Sequence, residues 1–297
     1  MRRIRVWLAR ALAAVVLAVA AVLLLAVWSS ERELARRIVV ADPPLPAVDA
    51  DGLAHGAHLF RSRGCSACHG ERGEGRTVHD APPLRMVASN LTPAGAGRHY
   101  DADAFGRAIR HGVGHDGRSL ALMPVQDYAE LSDADTAALA GYLTRLPPVE
   151  HEPGRNEIRL LGRVLHLFGQ LQLVPAAGID HRPRLRAAPA VAATSAYGEY
   201  LAHTCSGCHG RDYRGGPIPG MPPDMPPASD LAALDGWQAQ DFIRVMREGL
   251  RPDGSDLHPL MPWQAFRTMT ESELTALWLY FDGLPRVDDR RRAQAGG

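Results

Sequence analysis

Cys65-Ser66-Ala67-Cys68-His69-Gly70 and Cys205-Ser206-Gly207-Cys208-His209-Gly210 hold all four cysteines of this 297-residue chain. Two thiols three positions apart, followed at once by histidine, form the attachment motif for a covalently bound porphyrin. Within one helical turn the thiols reach two vinyl groups to form thioethers, and the adjoining imidazole points at the iron. A zinc ribbon brings its CxxC pairs about 15–20 residues apart, whereas these pairs are separated by 140. A thioredoxin-type CxxC needs no histidine after it, and a disulfide would not explain why the histidine recurs. The spacing therefore predicts two covalent haem c groups held by Cys65, Cys68, Cys205 and Cys208, with His69 and His209 on the irons.

Outward from the motifs, the two halves of the chain repeat. Phe60 and Tyr200 each stand five residues before the first cysteine, and Arg110/Arg247 and Asp116-Gly117/Asp253-Gly254 follow in near register. From Met123-Pro124 and Met261-Pro262 onward the offset is a steady 138, through Ser132/Thr270, Asp135/Glu273, Tyr142/Tyr280 and Leu146-Pro147/Leu284-Pro285. A repeat of this length implies two copies of one domain. It also selects the sixth iron ligands. Of eight methionines, Met123 and Met261 alone recur in register, 54 and 52 residues after their histidines. His-Met ligation is a common arrangement in electron carriers. Met86, Met221, Met225, Met246 and Met269 lack a matched partner and read as packing or loop residues. Bis-histidine ligation is the rival, but His115 and His258 are out of register and read as solvated loop residues; His55, His58, His79, His99, His111 and His203 read as surface residues or neighbours of the haem propionates.

The N-terminus carries a second signal. Arg2, Arg3, Arg5 and Arg10 precede Ala11 to Trp28, 18 apolar residues without a charge, which as a helix would span roughly 27 Å, enough for a bilayer core. The arginines belong on the cytoplasmic side, which sends everything after Ser29 into the periplasm. Ala18-Val19-Ala20 also has the small-residue pattern of a cleavage site. An uncleaved single-pass inner-membrane anchor and a signal peptide stay open at this point, and both put the motifs in the same compartment. Formal net charge is zero, so bulk charge makes no case for nucleic acid as a partner. A 46% apolar and 22% charged composition is globular.

The coarse pattern is helical in each half. In the first, a helix over 52–63 leads into the motif, a loop containing Pro82-Pro83 follows, then a helix near 103–111, the methionine loop, and a helix from Ser132 to about Arg145. Ser132-x-x-Asp135 and Thr270-x-x-Glu273 both have the form of capping boxes. Between the halves, Ile158 to Val174 has helical apolar spacing and reads as a helix packing across both domains or along the membrane, and Pro175 to Pro189 reads as an exposed linker.

The strings S-N-L-T-P at 89–93, A-I-R-H-G-V at 108–113, L-M-P at 122–124, L-S-D-A-D at 131–135, the run G-W-Q-A-Q-D-F-I-R-V-M-R-E-G-L at 236–250, L-M-P-W at 260–263 and L-T-A-L-W-L-Y at 274–280 resemble class I cytochrome c domains. The resemblance is to the cytochrome subunits of bacterial membrane-bound alcohol and gluconate dehydrogenases. Those subunits typically carry three haem domains, and this chain offers two motifs. The resemblance implies an all-α fold of two tandem cytochrome c-like domains: residues 1–30 as anchor or signal peptide, 51–148 and 195–286 as the domains, and 149–194 as a linker with an amphipathic helix. It implies an electron carrier rather than an enzyme, relaying single electrons from a periplasmic dehydrogenase or quinol-oxidising complex to a downstream acceptor. An electron-entry subunit of a cbb3-type oxidase is an alternative partner assignment. A di-haem peroxidase is an alternative of another class, and it needs an iron with an open position, which Met123 and Met261 would close.

Overall fold

The computed structural model describes residues 2–286 apart from 184, 219, 220, 222 and 223. Helix α1, Arg2–Leu34, runs 33 residues, about 50 Å at 1.5 Å per residue. It outruns the apolar segment because Ser29 to Leu34 continue the helix on the polar side. Most of its apolar side chains face outward, and Ala26 and Ser30 near its end are buried.

Two hydrophobic clusters follow, one in each half. The first gathers Leu59, Phe60, Phe105, Ile109, Leu139 and Leu143 from α2 (Ala50–Ser62), α4 (Ala102–His111) and α5 (Asp133–Leu143), with α3 (Cys65–His69) between. The second gathers Leu201, Phe242, Met246, Leu274, Leu277 and Phe281 from α7 (Ser195–Ala202), α9 (Ala239–Glu248) and α11 (Glu271–Asp282); α8 (Ser206–His209) and α10 (Trp263–Phe266) lie between them. Side-chain caps start these helices where the sequence places them. Asp49, Asp101 and Ser132 each accept a backbone N–H three residues on. Thr270 and Glu273 close a reciprocal capping box. At Ser132 the box is half made, since Asp135 turns away to bind His55 and Tyr200.

The first and last helices of each half cross with backbone on backbone. A methyl group at Gly56 would collide with the Ala138 carbonyl, and one at Gly198 with the Ala276 carbonyl; Tyr142 and Tyr280 close the two crossings in the same way. The crossings match at an offset of 142 in the first helix, against 140 at the motifs. The expected pairing of Phe60 with Tyr200 is thereby corrected. Phe60 is a core residue beside Tyr142, while Tyr200 points into the other half, donating to Asp135 Oδ2 at 2.6 Å and accepting from Ser132 N at 3.0 Å. Its counterpart is His58, which bonds Glu273 at 2.9 Å. The interface is thus reciprocal: each first helix reaches the start of the other half's last helix.

Further expectations are corrected. The fold is mostly helical but not all-α, because β1 (Arg76–Ala81) and β2 (Leu84–Ala88) form a hairpin across Pro82-Pro83, extended by β3 (Glu157–Ile158). Thr77, Val78 and Val87 favour strand, and Leu84 and Val87 bury the inner face. Among the described residues the second half keeps one rung of this hairpin, Gly216 with Ala228, at the place of Arg76 with Ala88. Prolines 217, 226 and 227 beside it lack the N–H a ladder needs. The expected helix 158–174 is shortened to α6, Leu160–Leu167, which ends before Gly169 in the left-handed region at φ 72°. The stretch 175–189, expected as an exposed linker, is exposed over much of its described length and is pinned to the first half at a few points. Val174, Pro175 and Ala176 are buried, His181 meets His111 at 3.1 Å, and Asp133 and Arg186 exchange backbone and carboxylate bonds at 2.9 and 3.0 Å. His111 itself is fully buried against Asp42 at 2.7 Å, where a surface residue was expected.

Overpacking at either crossing has no outlet, since backbone faces backbone. Gly56→Ala or Gly198→Ala is expected to lower the free energy of unfolding by about 1–3 kcal/mol, read as an earlier midpoint in chemical denaturation. An unchanged midpoint would show that the helices can move apart at no cost.

Candidate functional site

Short helix α3 presents Cys65, Cys68 and His69 to a cavity in the first half. Met123 lines the same cavity, and apolar walls come from Phe105, Ile109, Leu139 and Leu143 of the helices and Val87 of the hairpin. The structure therefore brings together the four residues that the sequence assigned to the first site. A flat apolar ring fits walls of this kind, and two thiols, an imidazole and a thioether on one apolar cavity match the donor set of a covalently held haem. Met86 of β2 lines the same cavity, where a packing role had been expected from its unmatched position. In the second half Cys205 and Met261 pack against one apolar cluster with Tyr213, Phe242 and Phe266, and His209 is buried beside them.

Both imidazoles are held in the same way. His69 Nδ1 donates to the Ser89 carbonyl at 2.8 Å, and His209 Nδ1 donates to the Ser229 carbonyl at 2.8 Å. A carbonyl only accepts, so the proton sits on Nδ1 and Nε2 keeps its lone pair for a metal. Burial pushes both histidines below the ordinary imidazole value, partly countered by that bond, and keeps them neutral as coordination requires. The two carbonyls were not among the residues singled out from sequence, because a backbone acceptor leaves no side-chain signature. The available clue was the serine standing 20 residues after each histidine. The turn behind each ring is duplicated too. Gly75 N and Gly215 N donate to the carbonyls of His69 and His209, and Leu91 N and Leu231 N to those of Gly73 and Tyr213. Tyr213 adopts φ 60°, matching Gly73 at 76°.

The methionines are presented by a common turn. Val125 N bonds Met123 O and Trp263 N bonds Met261 O, both at 2.8 Å, with Pro124 at φ −78°, ψ 65° and Pro262 at φ −80°, ψ 49°. This is the inverse γ-turn, whose central φ a proline ring sets in advance. Each methionine loop then packs on the other half's attachment turn. The 3-10 turn Val125–Asp127 sets Asp127 against Gly207, and α10 sets Ala265 beside Gly64. Arg63 lies buried at the centre, donating to Leu201 O with its guanidinium 5.8 Å from the Tyr200 ring. Tyr128 donates from its hydroxyl to Arg63 O at 3.1 Å.

The four cysteines are unpaired in the structure. Burial pushes Cys65 and Cys205 up to about 12 and raises Cys68 and Cys208 as well. A redox CxxC works through a thiol lowered toward neutrality, so these environments oppose that reading.

Residues 53–147 match the family model of cytochrome c. Relatives of the chain are subunits of dehydrogenases and a di-haem cytochrome. One of the subunits of nicotinate dehydrogenase from Pseudomonas putida is 30% identical over 216 residues, 67% of this chain and 17% of that protein. The cytochrome c subunit of a quinone alcohol dehydrogenase of Gluconacetobacter polyoxogenes is 26% identical over 82% of this chain and 58% of its own length. A di-haem c-type cytochrome of Cereibacter sphaeroides is 28% identical over 73% of this chain and 80% of its own length. The chain spans less than two thirds of the first two. Residues 53–147 thus form a cytochrome c domain, a type that binds haem c covalently, and the chain is homologous to cytochrome subunits of dehydrogenases.

Asp127 gives this interface a pH dependence. Burial raises its carboxyl to about 7, against the N–H of Gly207, which lowers it. A folded-state value above the unfolded one means that the native state holds the proton longer, so stability is full below about pH 4 and declines as the pH rises toward about 7. Asp127→Asn keeps the side chain's shape beside Gly207 and removes the charge. It is expected to raise the melting temperature at about pH 8 and leave it unchanged at about pH 4; an equal shift at both would place the effect in packing.

Proposed function

We propose that the chain is a membrane-anchored periplasmic carrier with two covalent haem c groups, one per half, which relays single electrons from a dehydrogenase in its own complex to a downstream acceptor. Cys65 and Cys68 bind the first haem and Cys205 and Cys208 the second. His69 with Met123, and His209 with Met261, would hold the two irons. The observation that carries this reading is the duplication of the ligand geometry: the same imidazole-to-carbonyl bond at the same distance, and the same proline γ-turn beneath each methionine.

When bound, haem c supplies an iron that changes charge by one electron, and its potential responds to the axial ligand, to hydrogen bonding and to burial. The chain's own residues do the rest. Ser89 and Ser229 orient the imidazoles, Pro124 and Pro262 hold the thioethers in place, and the apolar walls of the first cavity exclude water. Axial thioether and burial together favour the less charged iron and so a higher potential. Reciprocal packing of each methionine loop on the other attachment turn keeps the two sites in one rigid interface, as a relay needs.

The dehydrogenase partner is supported by the relatives, which include cytochrome subunits of alcohol, fructose and gluconate dehydrogenases. Both methionines would close the irons to an oxidant, which supports a carrier over a peroxidase. The anchor reading is supported by α1, a helix long and apolar enough to cross a membrane, and by the arginines at 2, 3, 5 and 10 on its N-terminal side, which point the halves outward.

Two experiments test this. Cys65→Ala combined with Cys68→Ala is expected to lower the denatured mass by one haem and leave the other attached; retention of both would refute the assignment. Met123→Ala and Met261→Ala are each expected to remove one site's thioether-to-iron charge-transfer band and lower its potential, while Met86→Ala leaves both bands. Loss of a band in Met86→Ala would transfer the axial role to that residue.

A further inference from the structure

Helix α6 has two dissimilar sides. One is fixed to α1 and to the hairpin. Arg163 donates to Ser30 Oγ at 2.6 Å and to Glu31 at 2.5 Å, His166 meets Glu33 at 2.7 Å, and Gly162 comes so close to the Pro83 carbonyl that a methyl group would not fit. The other side exposes large apolar groups: Leu160 and Leu161 at 48% and Phe168 at 64%. Such side chains are not needed to cover any core of this molecule.

Its depth follows from what it covers. Ala26 lies inside the apolar run 11–28, and both Ala26 and Ser30 are fully buried where α1 and α6 pack together. Hence α6 lies beside the last turns of the segment that crosses the bilayer. Leu24 and Trp28 of α1 are exposed as well, and the Arg32 guanidinium stands 5.4 Å from the Trp28 ring. Tryptophan with arginine at the end of an apolar helix is the pairing found at headgroup level. An amphipathic helix at that level buries its apolar side about 5–10 Å into the boundary between headgroups and acyl chains.

We propose that α6 is a membrane foot. It lies in the outer-leaflet interface with Leu160, Leu161 and Phe168 immersed in lipid, and it seats the first half on the bilayer surface. The inference rests on the reading of α1 as an anchor and adds a second point of contact. Mechanical ties run from the foot to the first site. Arg159 N bonds Pro83 O at 3.1 Å, β3 immediately before α6 pairs with β2, and β2 supplies Met86 and Val87 to the cavity wall. A second tie comes from the chain after α1, where Ile38 N bonds Gly117 O and Leu45 N bonds Asp103. The foot therefore holds the first site at a set height above the lipid.

Thiol protection in vesicles tests this, since the four native cysteines are consumed by haem attachment. The full-length holoprotein is reconstituted alone into vesicles of phosphatidylcholine and phosphatidylglycerol, with Phe168→Cys, Leu161→Cys, Val16→Cys or Leu185→Cys, and treated with a charged, membrane-impermeant maleimide. Leu185, 83% exposed in the stretch 175–189, is the water reference. Phe168→Cys and Leu161→Cys are expected to react about tenfold more slowly than Leu185→Cys, alongside a protected Val16→Cys. If both foot thiols react as fast as Leu185→Cys while Val16→Cys stays protected, the foot is wrong and the anchor stands, and a protein partner becomes the occupant of that face. If Val16→Cys also reacts freely, the anchor reading itself fails.

Discussion

Contact of backbone with backbone at two helix crossings is the constraint on which this structure depends. Gly56 against Ala138 and Gly198 against Ala276 let the first and last helices of each half approach without side chains between them. The close approach leaves room on the far side of α5 for a flat apolar cavity, and it aims the end of the first helix at the attachment turn. Everything specific to the site is built off this pair: the motif follows α2 directly, the methionine loop precedes α5 directly, and the histidine's carbonyl partner lies in the connection between.

The same geometry, used twice, produces the contact between halves. His58 with Glu273 and Tyr200 with Asp135 are one interaction written with different residues, and each uses the acidic group at the third position of a last helix. In the second half Glu273 serves its own capping box as well. In the first, Asp135 gives up that box to hold His55 and Tyr200. Arg63 sits among these groups with two side-chain nitrogens lacking hydrogen-bond partners. A buried cation of this kind is costly unless negative or polarisable groups surround it, which the carboxylates of Asp135 and Glu273 and the Tyr200 ring provide.

Local signals were legible in the sequence and distant ones were not. The attachment motifs, the Met-Pro pairs, the capping residues and the starts of α2, α4, α5 and α11 each depend on neighbours within one or two turns. The two-residue slip between helix and motif registers was hidden because Phe60 and Tyr200 are both aromatic, and only the position of the glycine crossings separates core from interface. The hairpin looked like a loop because Pro82-Pro83 dominates it and its third strand is contributed from residues 157–158. The ties of 175–189 to the first half were hidden because their partners, His111 and Asp133, lie over 40 residues away. Histidines 55, 58 and 111 read as surface residues because only tertiary placement supplies their carboxylate partners.

Tyr213 shows how unequal two copies of one design can become. It occupies a left-handed conformation that glycine fills in the first half, at an expense of order 1–3 kcal/mol for a residue with a side chain, offset by edge-on contacts with Tyr280 and Phe281. That residue sits four positions past His209 and supports, through Leu231, the loop that carries the Ser229 carbonyl. Integrity of the second imidazole's hold is therefore leveraged on three aromatic rings, whereas its twin relies on a relaxed backbone. Warming that loosens those rings is expected to disturb the His209–Ser229 bond before the His69–Ser89 bond.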